Sequence, residues 1–186
     1  MSRGEGTGRG CKQDPVYRSR VAVTLSVPLR QVLIRSHRNG DIPGISQLYY
    51  DTIHLINSRD YTREQVDAWA PTVPDDSFWK ERLKKYRVYV AEEGKCVVGF
   101  TELDTTGHID CFFVHYQWQR RGVGTRLMER VVATAGREQM PRLFAEVSIT
   151  AAPFFRNSGF VVVRENEAVR RNVKLKQFVM ERWLAV

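Results

Sequence analysis

Asp110-Cys111-Phe112-Phe113-Val114-His115-Tyr116-Gln117-Trp118-Gln119-Arg120-Arg121-Gly122-Val123-Gly124 is the stretch on which the reading of this chain turns. It begins as an apolar strand, and from Val123 onward Leu127, Met128, Val131, Val132 and Ala135 recur at helical intervals, ending near Gly136. The six residues Gln119 to Gly124 therefore stand at a helix N-terminus, where backbone N–H groups have no intrahelical partner. Two glycines let an anion approach the backbone, and Arg120 and Arg121 add charge. One helix terminus stabilises an anion by only ~0.3 to 2 kcal/mol, so several donors must converge, which suits a diphosphate better than a single carboxylate. Two familiar phosphate loops do not fit: Leu127 occupies the third glycine position of GxGxxG, and no GK[ST] follows. Read by itself, the pair of glycines is equally a tight strand-to-helix turn with no ligand.

Working outward, the spacing alternates between periods of two and of 3.6. Val32 and Ile34 mark a short strand, and Ile45, Leu48, Tyr49, Ile53 and Ile56 mark one face of a helix. Thr62 and Gln65 form a capping box for a helix that Pro71 stops, and a further helical segment covers Ser77 to Lys85. Arg87 to Glu92, Lys95 to Leu103 and His108 to Val114 read as a three-stranded meander, punctuated by Glu93-Gly94 and Asp104-Thr105-Thr106-Gly107. Then follow a strand at Leu143 to Ser148, a short helix at Thr150 to Asn157 ended by Gly159, and strands at Phe160 to Arg164 and Val173 to Leu184. That order predicts an α+β fold: a mixed, mostly antiparallel sheet of about seven strands flanked by about four helices.

Composition narrows the classes further. A length of 186 residues with 42% hydrophobic content suits a single globular domain, here expected over residues 27–186. No run reaches the ~20 apolar residues that span a bilayer, so no membrane association is expected. Cys11, Cys96 and Cys111 make no CxxC pair, and the four histidines lack metal-ligand spacing, so neither a disulfide framework nor a metal site is expected and a cytoplasmic location fits. Of the net charge of +8, three charges fall between Met1 and Ser26, which has five basic and two acidic residues. Residues 1–26, with four glycines in the first ten, read as a flexible basic arm. A nucleic-acid-binding role for that arm is the weaker alternative.

Gln119-Arg120-Arg121-Gly122-Val123-Gly124 resembles the Q/R-x-x-G-x-G/A signature of the GNAT superfamily of N-acetyltransferases. Ser148-Ile149-Thr150-Ala151-Ala152-Pro153-Phe154-Phe155-Arg156-Asn157-Ser158-Gly159-Phe160 is similar to the family's N-x-x-A-x-x-F-Y-x-x-x-G-F segment. Together with Tyr61 to Gln65 and Ala68-Trp69-Ala70, these motifs are similar to the YafP-like branch. The resemblance covers about Arg30 to Leu184. It implies a GNAT-like fold, acetyl-CoA as co-substrate, and transfer to a primary amine of a small molecule or peptide by direct attack in a ternary complex. Phe112, Phe113 and Val114 would pair with the pantetheine arm, Gln119, Arg120, Arg121, Gly122, Val123, Gly124 and Thr125 would hold the phosphates, and Ser148 and Phe155 would take the second segment's cofactor positions. A homodimer is compatible with the resemblance.

Two departures stand out. Phe155 replaces the family's Tyr and has no proton to give a departing thiolate, and Ser148 replaces Asn. Tyr116, Ser148 and Tyr61 are alternative donors, or water serves; a catalytically silent acyl-CoA-binding module is the rival reading. For the base that frees the amine, Asp110 is the first candidate because a period of two sets it on one face with Phe112 and Val114. Glu102 on the neighbouring strand and His54 on the first helix are the others. Tyr50, Trp69 and Trp79 are candidate stacking groups for the acceptor, and the Cys111 thiol is a conceivable acyl carrier.

Overall fold

The computed structural model describes residues 32–185, so the expectations for residues 1–26 lie outside the described residues. Strand β1 is Leu33–Ser36, followed by helices α1 (Ile42–Leu55), α2 (Arg63–Trp69) and α3 (Asp76–Lys85). The meander is β2 (Arg87–Glu93), β3 (Cys96–Leu103) and β4 (Ile109–Val114), and α4 is Val123–Arg137. The chain finishes with β5 (Arg142–Ser148), α5 (Ala152–Asn157), β6 (Val161–Arg170) and β7 (Val173–Trp183). The seven expected strands are present but divided between two sheets, ordered β1-β2-β3-β4 and β5-β7-β6, with antiparallel ladders throughout.

The sheets touch through one parallel bridge, His108 to Phe144, where the Phe144 N–H donates to Gly107 O at 3.0 Å. Gly107 makes that approach feasible, because at φ +89° a Cβ would lie 2.2 Å from Arg142 O. Beyond the bridge no ladder among the described residues joins β4 to β5, and the two strands diverge into a cleft.

On the back face, α4 and α5 bury Leu127, Val131, Leu143, Val147, Phe155 and Met180. The apolar stripe of α4 drives this packing, each fully buried Leu or Val contributing ~1.5 to 3 kcal/mol. On the front face, Ile42, Ile45, Leu48 and Trp79 of α1 and α3 pack on Val88, Val90, Phe100 and Cys111. A third cluster joins Ile53, Tyr61, Val66 and Ala70 to Leu175 of β7.

Two elements differ from the sequence reading. Strand β6 runs to Arg170 instead of Arg164, because it is an edge strand, half-buried on its front face at Asn166 and Ala168 and otherwise exposed, and shows no apolar alternation. Within β4, Glu102 faces Cys111 while Leu103 faces Ile109, so Asp110 is the extra residue of a bulge. The bulge turns Asp110 to the front face beside Cys111, away from Phe112 and Val114, which pack on the back. The expected shared face of Asp110, Phe112 and Val114 is corrected accordingly.

Candidate active site

The cleft between β4 and β5 ends against the N-terminus of α4. Gly122 precedes the helix in the left-handed region at φ 79°, and no side chain among the described residues caps its first turn. Arg126 is the residue whose N–H reaches back to Gly122 O, at 3.1 Å, leaving the N–H groups of Val123, Gly124 and Thr125 without intrahelical acceptors. Arg120 is also left-handed, at φ 61°, so the backbone curls on both sides of Arg121. The Arg121 guanidinium stacks on Trp118 at 5.2 Å. Gly124 lies against α5, since a Cβ there would stand 3.2 Å from the Phe154 ring. Gln119 acts backwards along the chain: its side-chain amide donates to Val114 O at 2.6 Å, locking the loop to the end of β4.

The edge of β4 continues this site. His115 N–H donates to Val98 O at 3.0 Å, and strand alternation then directs the backbone groups of Phe112 and Val114 toward the cleft and those of Phe113 toward β3. Val114 O is already engaged by Gln119, so among the described residues the Val114 N–H and both backbone groups of Phe112 form the unpaired edge. Opposite them, Ser148 at the end of β5 accepts the Ala151 N–H through its hydroxyl at 3.1 Å. Phe155 is 2% exposed and meets Phe112 edge-on at 5.6 Å, so the back wall of the cleft is apolar and holds no proton donor at that position.

On the front face the structure brings Glu102 and Asp110 together around a residue that the sequence reading did not single out, Arg82 of α3. Arg82 Nε donates to both Glu102 oxygens at 3.2 and 3.1 Å, and Nη2 donates to Glu102 and to Asp110. Burial opposes the Arg82 charge, but the Glu102 bonds outweigh it and hold the guanidinium firmly protonated. Phe78, Trp79 and Tyr86 surround it at 5.5, 6.0 and 5.2 Å. Glu102 is fully buried, whereas Asp110 opens to solvent. Glu102, Asp110 and Cys111 hold their ligand-type atoms within 4.8 Å of one another, and Arg82 supplies the positive charge among them. Burial, followed by the charge of Glu102, pushes the Cys111 thiol well up, which leaves it a poor nucleophile and removes it as an acyl carrier.

The remaining candidates are dispersed. His54 Nε2 bonds to Ala70 O at 2.7 Å and its ring stacks on Tyr50 at 4.2 Å, so it bolts α1 to the end of α2 and lies apart from the Arg82 cluster. The Tyr61 hydroxyl is saturated, accepting the Ile149 N–H at 2.9 Å and donating to Lys176 O at 2.5 Å. Trp79 belongs to the core. Tyr116 stacks on His115 at 4.4 Å. Burial lowers the His115 pKa, which the charge of Asp51 partly offsets; its Nδ1 accepts the Gln117 N–H at 3.2 Å, so the neutral ring carries its proton on Nε2. No helix among the described residues is long and apolar enough to cross a membrane.

Residues 57–182 match the family model described as an acetyltransferase (GNAT) domain. The chain is 30% identical over 152 residues to the uncharacterized N-acetyltransferase YafP of Escherichia coli K12, covering 82% of this chain and 96% of that protein. A GCN5-related N-acetyltransferase from Rhodopseudomonas palustris superposes with a TM-score of 0.78 at 27% identity, over 82% of this chain and 96% of the other. The PaiA N-acetyltransferase of Thermoplasma acidophilum, solved in complex with coenzyme A, shares the fold with a TM-score of 0.70 at 13% identity, over 83% and 99% of the two chains.

Proposed function

Because the chain belongs to the GNAT acetyltransferase family, we propose that it transfers an acetyl group from acetyl-CoA to a primary amine of a small molecule or peptide, directly within a ternary complex. The observation that supports this best is the continuity of two recognition features: the uncapped N-terminus of α4 for a diphosphate, and the unpaired edge of Phe112 and Val114 for an amide-bearing arm. When bound, acetyl-CoA supplies a thioester whose C–S bond breaks as the amine nitrogen bonds to the acetyl carbon, the sulfur leaving with the electron pair.

The chain's own residues then divide the work. Arg120 and Arg121 add charge to the α4 backbone donors. Asp110, on the exposed side of the cluster, accepts the proton that the amine must lose before it can attack. Glu102 is a positioning residue, fixing the Arg82 guanidinium that in turn orients Asp110. Phe112, Phe154 and Phe155 exclude water from the back of the cleft. With no hydroxyl at Phe155 and the Tyr61 proton committed to Lys176 O, the thiolate takes its proton from water or from the Ser148 or Tyr116 hydroxyl, and its low basicity makes an enzymic acid less necessary.

Calorimetry of acetyl-CoA with wild type and Gly124→Glu tests the cofactor site, with loss of binding expected in the variant because the side chain enters the Phe154 contact and adds an anion at the helix terminus. Thiol release over an amine panel, with Asp110→Asn, tests the base; the expected loss in kcat/KM is about 10²- to 10⁴-fold. Equal acetyl-CoA affinity in Gly124→Glu would sink the site assignment. Binding without thiol release from any amine would leave a silent acyl-CoA-binding module, the reading that Phe155 and Ser148 favour.

A further inference from the structure

The register of the second sheet sets charged residues in ordered rows. Glu146 of β5 faces Val179 of β7, and Val179 faces Arg164 of β6, so Glu146 and Arg164 share one row and one face, two strand spacings or roughly 10 Å apart. Ser148, Gln177 and Asn166 form the next row on that face, then Leu175 with Ala168, then Val173 with Arg170. This is the front face, where Ala168 and Leu175 pack with Tyr49, Trp69 and Phe113. At its β4 side stand Asp110 and Glu146.

The two faces of the β6–β7 hairpin treat their charges differently. On the back, Glu165 pairs with Lys176 and Glu167 with Lys174, both at 2.9 Å. On the front, Arg164 touches Asn166 Oδ1 at 3.2 Å and Arg170 touches its neighbour Val169 O at 3.3 Å; among the described residues neither has an acidic partner. The front face therefore runs from carboxylates at the sheet junction, Asp110 held by Arg82 and Glu146 by His108 at 2.6 Å, to the unneutralised Arg164 guanidinium across the sheet, while Arg170 lies beyond the buried Leu175 row.

We infer that the acceptor is an amine carrying a separate anionic group, a carboxylate or a phosphoryl group, and that Arg164, in the row of Glu146, is the specificity-determining residue that receives it; Arg170, six residues or roughly 20 Å further along β6 and beyond the buried Leu175, is out of reach of the same small molecule. The amine meets Asp110 at the junction while the anion meets the guanidinium fork, the side chain best matched to such oxygens. This rests on the acetyl-transfer reading for the identity of the amine's fate, but not for the recognition itself. A basic molecule with a pI of about 9.7 is also a poor match for a polycationic acceptor.

The test uses matched pairs with the full chain and acetyl-CoA: amino acids against their carboxamides, and aminoalkyl phosphates against the corresponding amino alcohols. The anionic member of at least one pair is expected to show a KM about tenfold lower, the pair affected distinguishing carboxylate from phosphoryl recognition, and in Arg164→Gln that ratio is expected to collapse toward one while Arg170→Gln, the distant control, keeps it. Equilibrium binding of the same amines to the CoA-saturated protein is measured in parallel. Anion-selective binding without thiol release upholds the acceptor class while defeating the acetyl-transfer reading. Neutral members binding as tightly as anionic ones, no amine binding, a ratio unchanged in Arg164→Gln, or an equal collapse in Arg170→Gln would overturn the inference.

Discussion

At the scale of single residues, the site depends on positions where a side chain must be absent as much as on those where one is present. Gly107 is the sharper case: its φ of +89° and the 2.2 Å approach of a Cβ to Arg142 O leave no room for alanine without parting the sheets at their one bridge. Gly107→Ala is expected to destabilise by about 3 kcal/mol or more, read as a lower urea midpoint, with impaired acetyl-CoA binding because the cleft starts at that bridge. A midpoint within error of wild type would show that the junction can shift. Asp110 illustrates the limit of sequence reading at this scale. A period of two predicted it beside Phe112, and the bulge that moves it to the front leaves no signature in residue types, because it arises from how β3 and β4 align around the Asp104–Gly107 turn.

Among the elements, those with local physical signatures were legible: the Thr62–Gln65 capping box is formed in both directions at 3.2 and 2.9 Å, and the stripe of α4 points into the back core as its spacing predicts. What was not legible involves distant partners. Arg82 reads as one more basic residue on a polar helix, and acquires its meaning only when α3, β3 and β4 converge on it. The attachment of α2 to β7 is similar. Gln65 Nε2 donates to Lys174 O at 2.8 Å, Arg171 donates to Ala68 O at 2.8 Å, and Tyr61 bridges Lys176 O to the Ile149 N–H, so α2 is fastened to the hairpin. Tyr61→Phe strands a donor and an acceptor in a buried place and is expected to cost about 2 kcal/mol. Faster amide exchange at Ile149 would locate the effect, whereas unchanged exchange would mean that the hydroxyl holds nothing.

For the whole molecule, stability should fall with acidity in two separable steps. Burial lowers the His115 pKa, so the unfolded chain binds the proton more readily; His115 contributes stability above its unfolded value of about 6.5, lost as pH falls toward the folded value. Burial alone would raise Asp41 and Asp104, but Arg35 and the Arg38 N–H hold the first low, and Thr106 and the His108 N–H hold the second low. Their contribution is present above the unfolded value of about 4 and disappears below it. Urea midpoints are therefore expected to drop between about pH 7.5 and 5, then again near pH 3, with His115→Gln flattening only the first drop. An unflattened first drop would assign it to another group. The β6 edge has a different kind of consequence. If two copies paired antiparallel along it about a two-fold axis, each register joining more than half of Val161–Arg170 would set like charges opposite: Arg164, Glu165 or Glu167 against itself, or Glu165 against Glu167. A long open edge is ordinarily a template for self-association, and here the order of charges along the strand penalises its copying.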